Sequence, residues 1–336
     1  MHPHMVCSIE EAAELTSIPE KITVIYPTSN GPIECLLWST FSLLLMTKVK
    51  DHMEHFVVCI NGPDKRTGDP SICDQKQAFL EDLRKLKWYH VDAPKAKRDM
   101  PITIIRAWSR IGHPEAVEMA IPWVHTDSYL IMHDDLIICQ KDWLRVVEER
   151  FFADPNVIIA YAEKSPITLL CAKCDSTTHV DKPLLRFPHL LCLFLCCRKK
   201  YMTELGSSWC GYHINTPPFK LHERVGDVNE FLKYYKELGA LGYDIPQVDT
   251  SYEYISMEMG AWHYYNAIQK GYKFVPMPLD IVHFGAMSWE IDTGKNNRIA
   301  KYQSQIKALE HEIYAHPDYG PLYHKYLPNK YKGGKP

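Results

Sequence analysis

The chain predicts an α/β protein with a mostly parallel central sheet flanked by helices, and three observations carry that prediction. Apolar runs of strand length alternate with runs of helical length and spacing through the first half of the sequence. The strand at Ile22 to Tyr26 and the next one, in "HFVVCINGPD", are joined by a helix-length segment rather than a tight turn, as a parallel pair requires. Several strands end in polar or glycine-bearing turns, and in open α/β sheets ligands collect at the carboxyl ends of strands.

Residues 1–19 read as an N-terminal tail with room for one short helix. Order begins with "KITVIYPTSNG", a β-rich run stopped by Pro27 and the turn-forming Thr28-Ser29-Asn30-Gly31. Then come the helix "PIECLLWSTFSLLLM", a strand ending in Asn61-Gly62, the amphipathic helix "AFLEDLRKLK" and the short strand "WYHVD". "PEAVEMAIPWV" is a helix with proline near its start, "SYLIMHDD" a strand, "DWLRVVEERFF" a helix and "NVIIAYAE" a strand. The second half is less regular. A polar, Pro- and Cys-containing excursion covers 165–190, and "LLCLFLCCRKKYMTELG" reads as a strand entering a helix. After a loop with one helix, "VNEFLKYYKELG", a helix is expected from Tyr254 to Gly271, closed by that glycine. The strand "YKFVPM" and then "DIVHFGAMSW" follow, and a helix near "AKYQSQIKALEHEIY" with a lysine-rich tail occupies 291–336.

With 336 residues, 46% hydrophobic and 24% charged, the chain has a globular composition and length enough for a sizeable core. A net charge of −3 supplies no global basic field for nucleic acid or an anionic membrane. The 11 cysteines are an odd number without regular spacing, and no apolar signal stretch follows Met1, so free thiols in the cytoplasm are expected, with peripheral membrane association left open. The most apolar run, "LLCLFLCC", is too short to span a bilayer, and no transmembrane segment is expected. Cys171 and Cys174 have zinc-ligand spacing, with His179, Cys192, Cys196 and Cys197 beyond them, but without a second well-spaced pair; buried thiols are the favoured account of Cys192 and Cys196.

In "SYLIMHDDLIICQKDWL", His133-Asp134-Asp135 interrupts two apolar runs. Adjacent carboxylates beside buried strands must be turn residues, a general acid and base, or metal ligands. A divalent ion would account for the tolerated charge. Mg²⁺ and Mn²⁺ suit carboxylate oxygens, and Mg²⁺ is typically shared with substrate phosphates, which points to a nucleoside diphosphate.

The ordered set "ITVIYPTSNG", "HFVVCINGPD" and "GHPEAVEMAIPWVHTDSYLIMHDDLIICQKDWL" resembles the nucleotide-binding half of family-2-like glycosyltransferases with the GT-A fold. "CLFLCCRKKYMTELG" and "MEMGAWHYYNAIQKGYKFVPMPLDIVHFGAMSW" are similar to the second half of such enzymes. The resemblance implies a catalytic domain over 20–290, with a nucleotide-binding half at 20–150 and an acceptor half at 151–290. Pro27, Thr28, Asn30 and Asn61 then match the nucleoside-binding turns. Asp135 falls at the usual metal-ligand position, Asp134 reads as a ribose or metal-shell contact, and His133 stands where a first aspartate is usual. His283 matches a histidine that completes the metal site in many relatives. With imidazole a better ligand for Mn²⁺ than for Mg²⁺, Mn²⁺ is mildly preferred.

The same resemblance makes Glu258 the expected base, with Glu253 and Asp249 in reserve, although the aspartate that normally follows that glutamate is replaced by Met259. Trp209, Tyr212 and Trp262 are the acceptor-side aromatics, and lysines 325, 330, 332 and 335 are a conceivable lid. The implied activity is transfer of a sugar from a nucleotide-diphosphate donor, UDP-sugar first, to an acceptor hydroxyl, with inversion. The acceptor class stays open among glycans, lipid carriers, proteins, small molecules and modified nucleic-acid bases. Two other classes compete: a nucleotidyltransferase, which normally carries a Gly-rich basic loop that "PTSNGPIE" lacks, and a non-catalytic protein binding nucleotide or nucleic acid.

Overall fold

The computed structural model describes residues 21–28, 31–47, 53–62, 70–89, 97–107, 111, 113–162, 184–186, 194–205, 209, 219–220, 254–256, 260, 263, 266–267, 270–284 and 299–328. In chain order these include β1 (Ile22–Thr28), α1 (Ile33–Met46), β2 (Met53–Ile60), α2 (Pro70–Arg84), β3 (Lys87–Tyr89), β4 (Lys97–Asp99) and β5 (Ile102–Arg106). Next are α3 (His113–Ala120), β6 (Ser128–Met132), β7 (Leu136–Ile138), α4 (Trp143–Val147), β8 (Val157–Ala162), β9 (Leu184–Arg186), β10 (Phe194–Arg198) and α5 (Lys199–Glu204). The remainder are β11 (Phe219–Lys220), β12 (Tyr254–Ser256), β13 (Lys273–Met277), β14 (Ile281–His283), α6 (Gln303–Ala315) and α7 (Tyr319–Tyr326).

Seven strands form the central sheet in the order β13-β8-β10-β6-β1-β2-β5. Only β10 runs against its neighbours; every other pairing in this sheet is parallel, as the helix-length connections predict. β1 is buried along its whole length, which is why it reads as a continuous apolar run rather than an alternating one. From β1 the chain moves outward through β2 to β5 and then returns to lay β6 on the other side of β1. That reversal opens a crevice at the carboxyl ends of β1 and β6, where such sheets hold ligands.

α1 is almost entirely buried, so its apolar residues go round the helix instead of forming one stripe. It packs on β7 and against α6, and Trp38 donates its indole N–H toward Tyr323 Oη at 2.9 Å and Glu310 Oε1 at 3.1 Å. Phe41 meets Phe79 of α2 and Tyr319 of α7 with ring centroids 5.7 and 5.1 Å apart, so both C-terminal helices share the main core. Lys325 of α7, considered above as part of a lid, instead bonds Asp82 of α2 at 2.5 Å beside Tyr326 Oη at 2.6 Å.

Several elements depart from the sequence reading. "ITIIR" forms the edge strand β5, and "YGPLYHKY" forms α7 where a tail was expected to begin. The helix expected from Tyr254 starts instead as β12, which pairs with β9 and β11; β-branched and aromatic residues at its start favour an extended chain once partner strands exist. Gly271 has φ +71°, the left-handed conformation expected of a closing glycine. The helix read over Asp142–Phe152 forms as α4 and then widens into a π turn over Glu148–Phe152. Among the described cysteines, Cys35, Cys59 and Cys196 are buried free thiols.

Candidate functional site

The two apolar runs around His133-Asp134-Asp135 belong to different sheets. β6 ends at Met132 in the central sheet, the chain turns at Asp134 and Asp135, and β7 leaves in a two-stranded ribbon with β14. That ribbon is antiparallel with His283 opposite Leu136, and the Phe284 N–H donates to the Asp135 carbonyl at 3.0 Å. Two α1 hydroxyls brace the same turn. Ser39 Oγ donates to the His133 carbonyl, and Ser42 Oγ accepts from the Ile138 N–H, each at 3.1 Å.

The adjacent carboxylates have different surroundings. Asp134 Oδ2 accepts from Thr28 Oγ1 at 2.5 Å and from Lys76 Nζ at 3.2 Å, and the same ammonium donates to Thr28 Oγ1 at 2.8 Å. Lys76, on α2, is completely buried. A buried ammonium costs several kcal/mol unless it is paired, and Asp134 is that partner.

Asp135 is met by imidazoles. Its Oδ1 lies 3.1 Å from His283 Nε2 and 3.6 Å from His133 Nδ1. The carboxylate is 3% exposed, whereas the two histidine side chains are 26% and 25% exposed. Burial by itself would push the Asp135 carboxyl up; the facing His133 and His283 outweigh it and hold the group well below the usual carboxylate range. Oδ1 is nevertheless a buried oxygen without an aligned hydrogen bond. One ligand atom from each of His133, Asp135 and His283 lies within 4.8 Å of the other two. An orphaned buried oxygen between two imidazoles fits a divalent cation. His113, at the start of α3, adds a third ring 4.1 Å from that of His133.

Pro27 and Thr28 end β1, so the first turn and the Asp134-Asp135 turn are neighbours in space. Asn61 clamps the chain at Ile111: its Nδ2 donates to the Ile111 carbonyl, and its Oδ1 accepts the Ile111 N–H at 2.7 Å. Trp209 is a core side chain rather than an open stacking platform. It is 2% exposed, donates to Tyr129 Oη at 3.1 Å and packs its ring on His263. Asn30, Tyr212, Asp249, Glu253, Glu258 and Trp262 lie outside the described residues, as do Cys171, Cys174, His179, Cys192 and lysines 330, 332 and 335. Lys76 and His113 are the site residues that sequence reasoning missed. Lys76 is an ordinary charged position of an amphipathic helix until the fold brings Asp134 to it; for His113 the one signal is its place in "GHPEAVEM", next to the interrupted strand.

No family model and no curated protein matches the sequence. Solved structures similar to it do exist. A mannosyltransferase from Pyrobaculum calidifontis, in complex with GDP-Man and Mn²⁺, shares 14% identity over 98% of this chain and 83% of its own, with TM-score 0.37. Glucosyl-3-phosphoglycerate synthase from Mycobacterium tuberculosis, in complex with Mn²⁺, UDP and glucosyl-3-phosphoglycerate, shares 16% identity over 87% of this chain and 84% of its own, with TM-score 0.35. An inositol-1-phosphate CTP transferase from T. maritima shares 11% identity over 85% and 96%, with TM-score 0.39. Among the described residues no helix is long and apolar enough to cross a membrane.

Proposed function

We propose that the chain is a metal-dependent glycosyltransferase of GT-A type that moves a sugar from a nucleotide-diphosphate donor, a UDP-sugar first, to an acceptor hydroxyl. The observation that carries this reading is the His133-Asp135-His283 cluster at the crevice where β6 turns back beside β1. Asp135 and His283 would hold Mn²⁺ or Mg²⁺, with His133 as a further ligand. The bound ion would supply charge neutralisation for the departing diphosphate. Thr28 and Asp134, which stand at the same strand ends and are both held by Lys76, would contact the nucleoside. Glu258 is proposed as the base that takes the acceptor proton, giving inversion at the anomeric carbon.

Calorimetric titration of UDP and GDP into the wild type and Asp135→Ala, each with Mn²⁺ and with EDTA, tests the reading. Binding that requires metal and is lost in Asp135→Ala is the expected result. Absence of nucleotide binding under every condition would sink it.

A further inference from the structure

Among the described residues Lys76 is the most deeply buried charged side chain. It comes from α2, but its ammonium ties together the ends of two other elements. It donates to Oγ1 of Thr28, the last residue of β1, at 2.8 Å and to Asp134 Oδ2, in the turn after β6, at 3.2 Å. Thr28 closes the triangle by donating to the same Asp134 oxygen at 2.5 Å. An ammonium so enclosed does not reach a ligand in the crevice, so any influence on one passes through Asp134 and Thr28.

That influence is electrostatic as well as geometric. Asp134 and Asp135 put two buried carboxylates at adjacent positions of the turn. The proposed donor brings an anionic diphosphate to the same strand ends, and like charges repel strongly where water is excluded. Asp135 faces the cation position between His133 and His283, so a bound ion would offset it. Asp134 has a countercharge of its own in Lys76, which is part of the fold with or without an ion. Dissolved salt screens a buried pair little, so this compensation acts at any ionic strength. Without it, Asp134 would meet the phosphates with an unbalanced negative charge.

We propose that Lys76 is a positioning residue for the donor diphosphate: it holds Asp134 at the end of β1 and cancels its charge, so that the crevice admits a ligand carrying several negative charges. The proposal rests on the glycosyltransferase reading and adds to it a residue that touches neither the ion nor the donor.

Two unit charges about 10 Å apart, at an effective dielectric of about 20–40, change an equilibrium constant by about four- to sixteenfold. UDP carries about one unit of negative charge more than UMP near neutral pH. The ratio of UDP to UMP affinity therefore reads the charge at Asp134, whereas a loss of shape alone weakens both nucleotides together.

Both nucleotides are titrated by calorimetry, with Mn²⁺ in excess, into the full-length wild type, Lys76→Met and Asp134→Asn, with folding checked by circular dichroism. Lys76→Met uncovers a negative charge and should lower the UDP to UMP affinity ratio by about fourfold or more; Asp134→Asn uncovers a positive one and should raise it. Both substitutions break the same bridge, so a purely structural role would not give opposite signs, and either variant tests the direction if the other fails to fold. A ratio unchanged within about twofold in either variant, or shifted the same way in both, overturns the proposal and leaves the donor site in place. Failure of UDP to bind the wild type removes the glycosyltransferase reading and this proposal with it.

Discussion

Replacing Lys76 with methionine removes a charge while keeping an unbranched stem of similar length, and the surroundings set the size of the effect. The ammonium is completely buried and stands 3.2 Å from Asp134 Oδ2, whose side chain is only 7% exposed. At an effective dielectric near 20, two charges at that separation attract by about 5 kcal/mol. Breaking a buried pair by removing one partner costs about 3–5 kcal/mol, because the remaining charge stays buried without its counterion. Lys76→Met is therefore expected to lose about 3–5 kcal/mol of stability, and Asp134→Asn a similar amount by stranding the ammonium. The double variant strands neither charge, so it should be more stable than the sum of the two losses predicts, by at least about 2 kcal/mol. Urea unfolding of all four proteins, followed by the fluorescence of the 8 tryptophans, gives the cycle. If the two single effects add to within about 0.5 kcal/mol, Lys76 and Asp134 are not coupled and the account of the site's charge is wrong.

Gly320→Ala should destabilise by about 1–3 kcal/mol, since a Cβ there would meet the Tyr314 carbonyl oxygen at 2.9 Å and backbone cannot move aside cheaply; an unchanged melting temperature would count against this close approach of α7 to the end of α6. Burial pushes the His263 imidazole down to about 3 from its ordinary 6.5, so below pH 6.5 the unfolded chain binds a proton that the folded chain refuses. Stability is then full above pH 6.5 and falls as pH drops toward 3, at up to about 1.4 kcal/mol per pH unit, and His263→Gln should flatten the slope measured by urea unfolding. An identical slope in that variant would assign the acid sensitivity to other groups.

The fold was legible where local pattern and tertiary environment agree. β1, α1, β2 and β6 announce themselves because buried parallel strands are continuous apolar runs and each ends in a recognisable turn. β5 was not legible, since "ITIIR" follows a proline and lies at the sheet edge with most of its residues half-exposed. β12 was misread because "YISMEMGAWHYY" has helical spacing, while its strand character depends on partners at Leu184–Arg186 and Phe219–Lys220, far away in sequence. For the site, the interrupted strand singled out Asp134 and Asp135, and the family resemblance made Asp135 the expected metal ligand, but neither says which carboxylate is neutralised inside the protein. That distinction depends on Lys76, 58 positions before Asp134, and no local pattern reaches so far.

The β7–β14 ribbon also sets when, during synthesis, the cluster becomes complete. Asp135 and His283 come together only through the pairing of Leu136–Ile138 with Ile281–His283. At ribosomal rates of about 5–20 residues per second, the roughly 150 residues between them take about 7–30 s to emerge. Throughout that interval the nascent chain carries an Asp135 without its second imidazole. If the cluster holds an ion as proposed, the full ligand set forms only once His283 has left the ribosome, so metal uptake would report the closing of the β7–β14 ribbon rather than the folding of the first half.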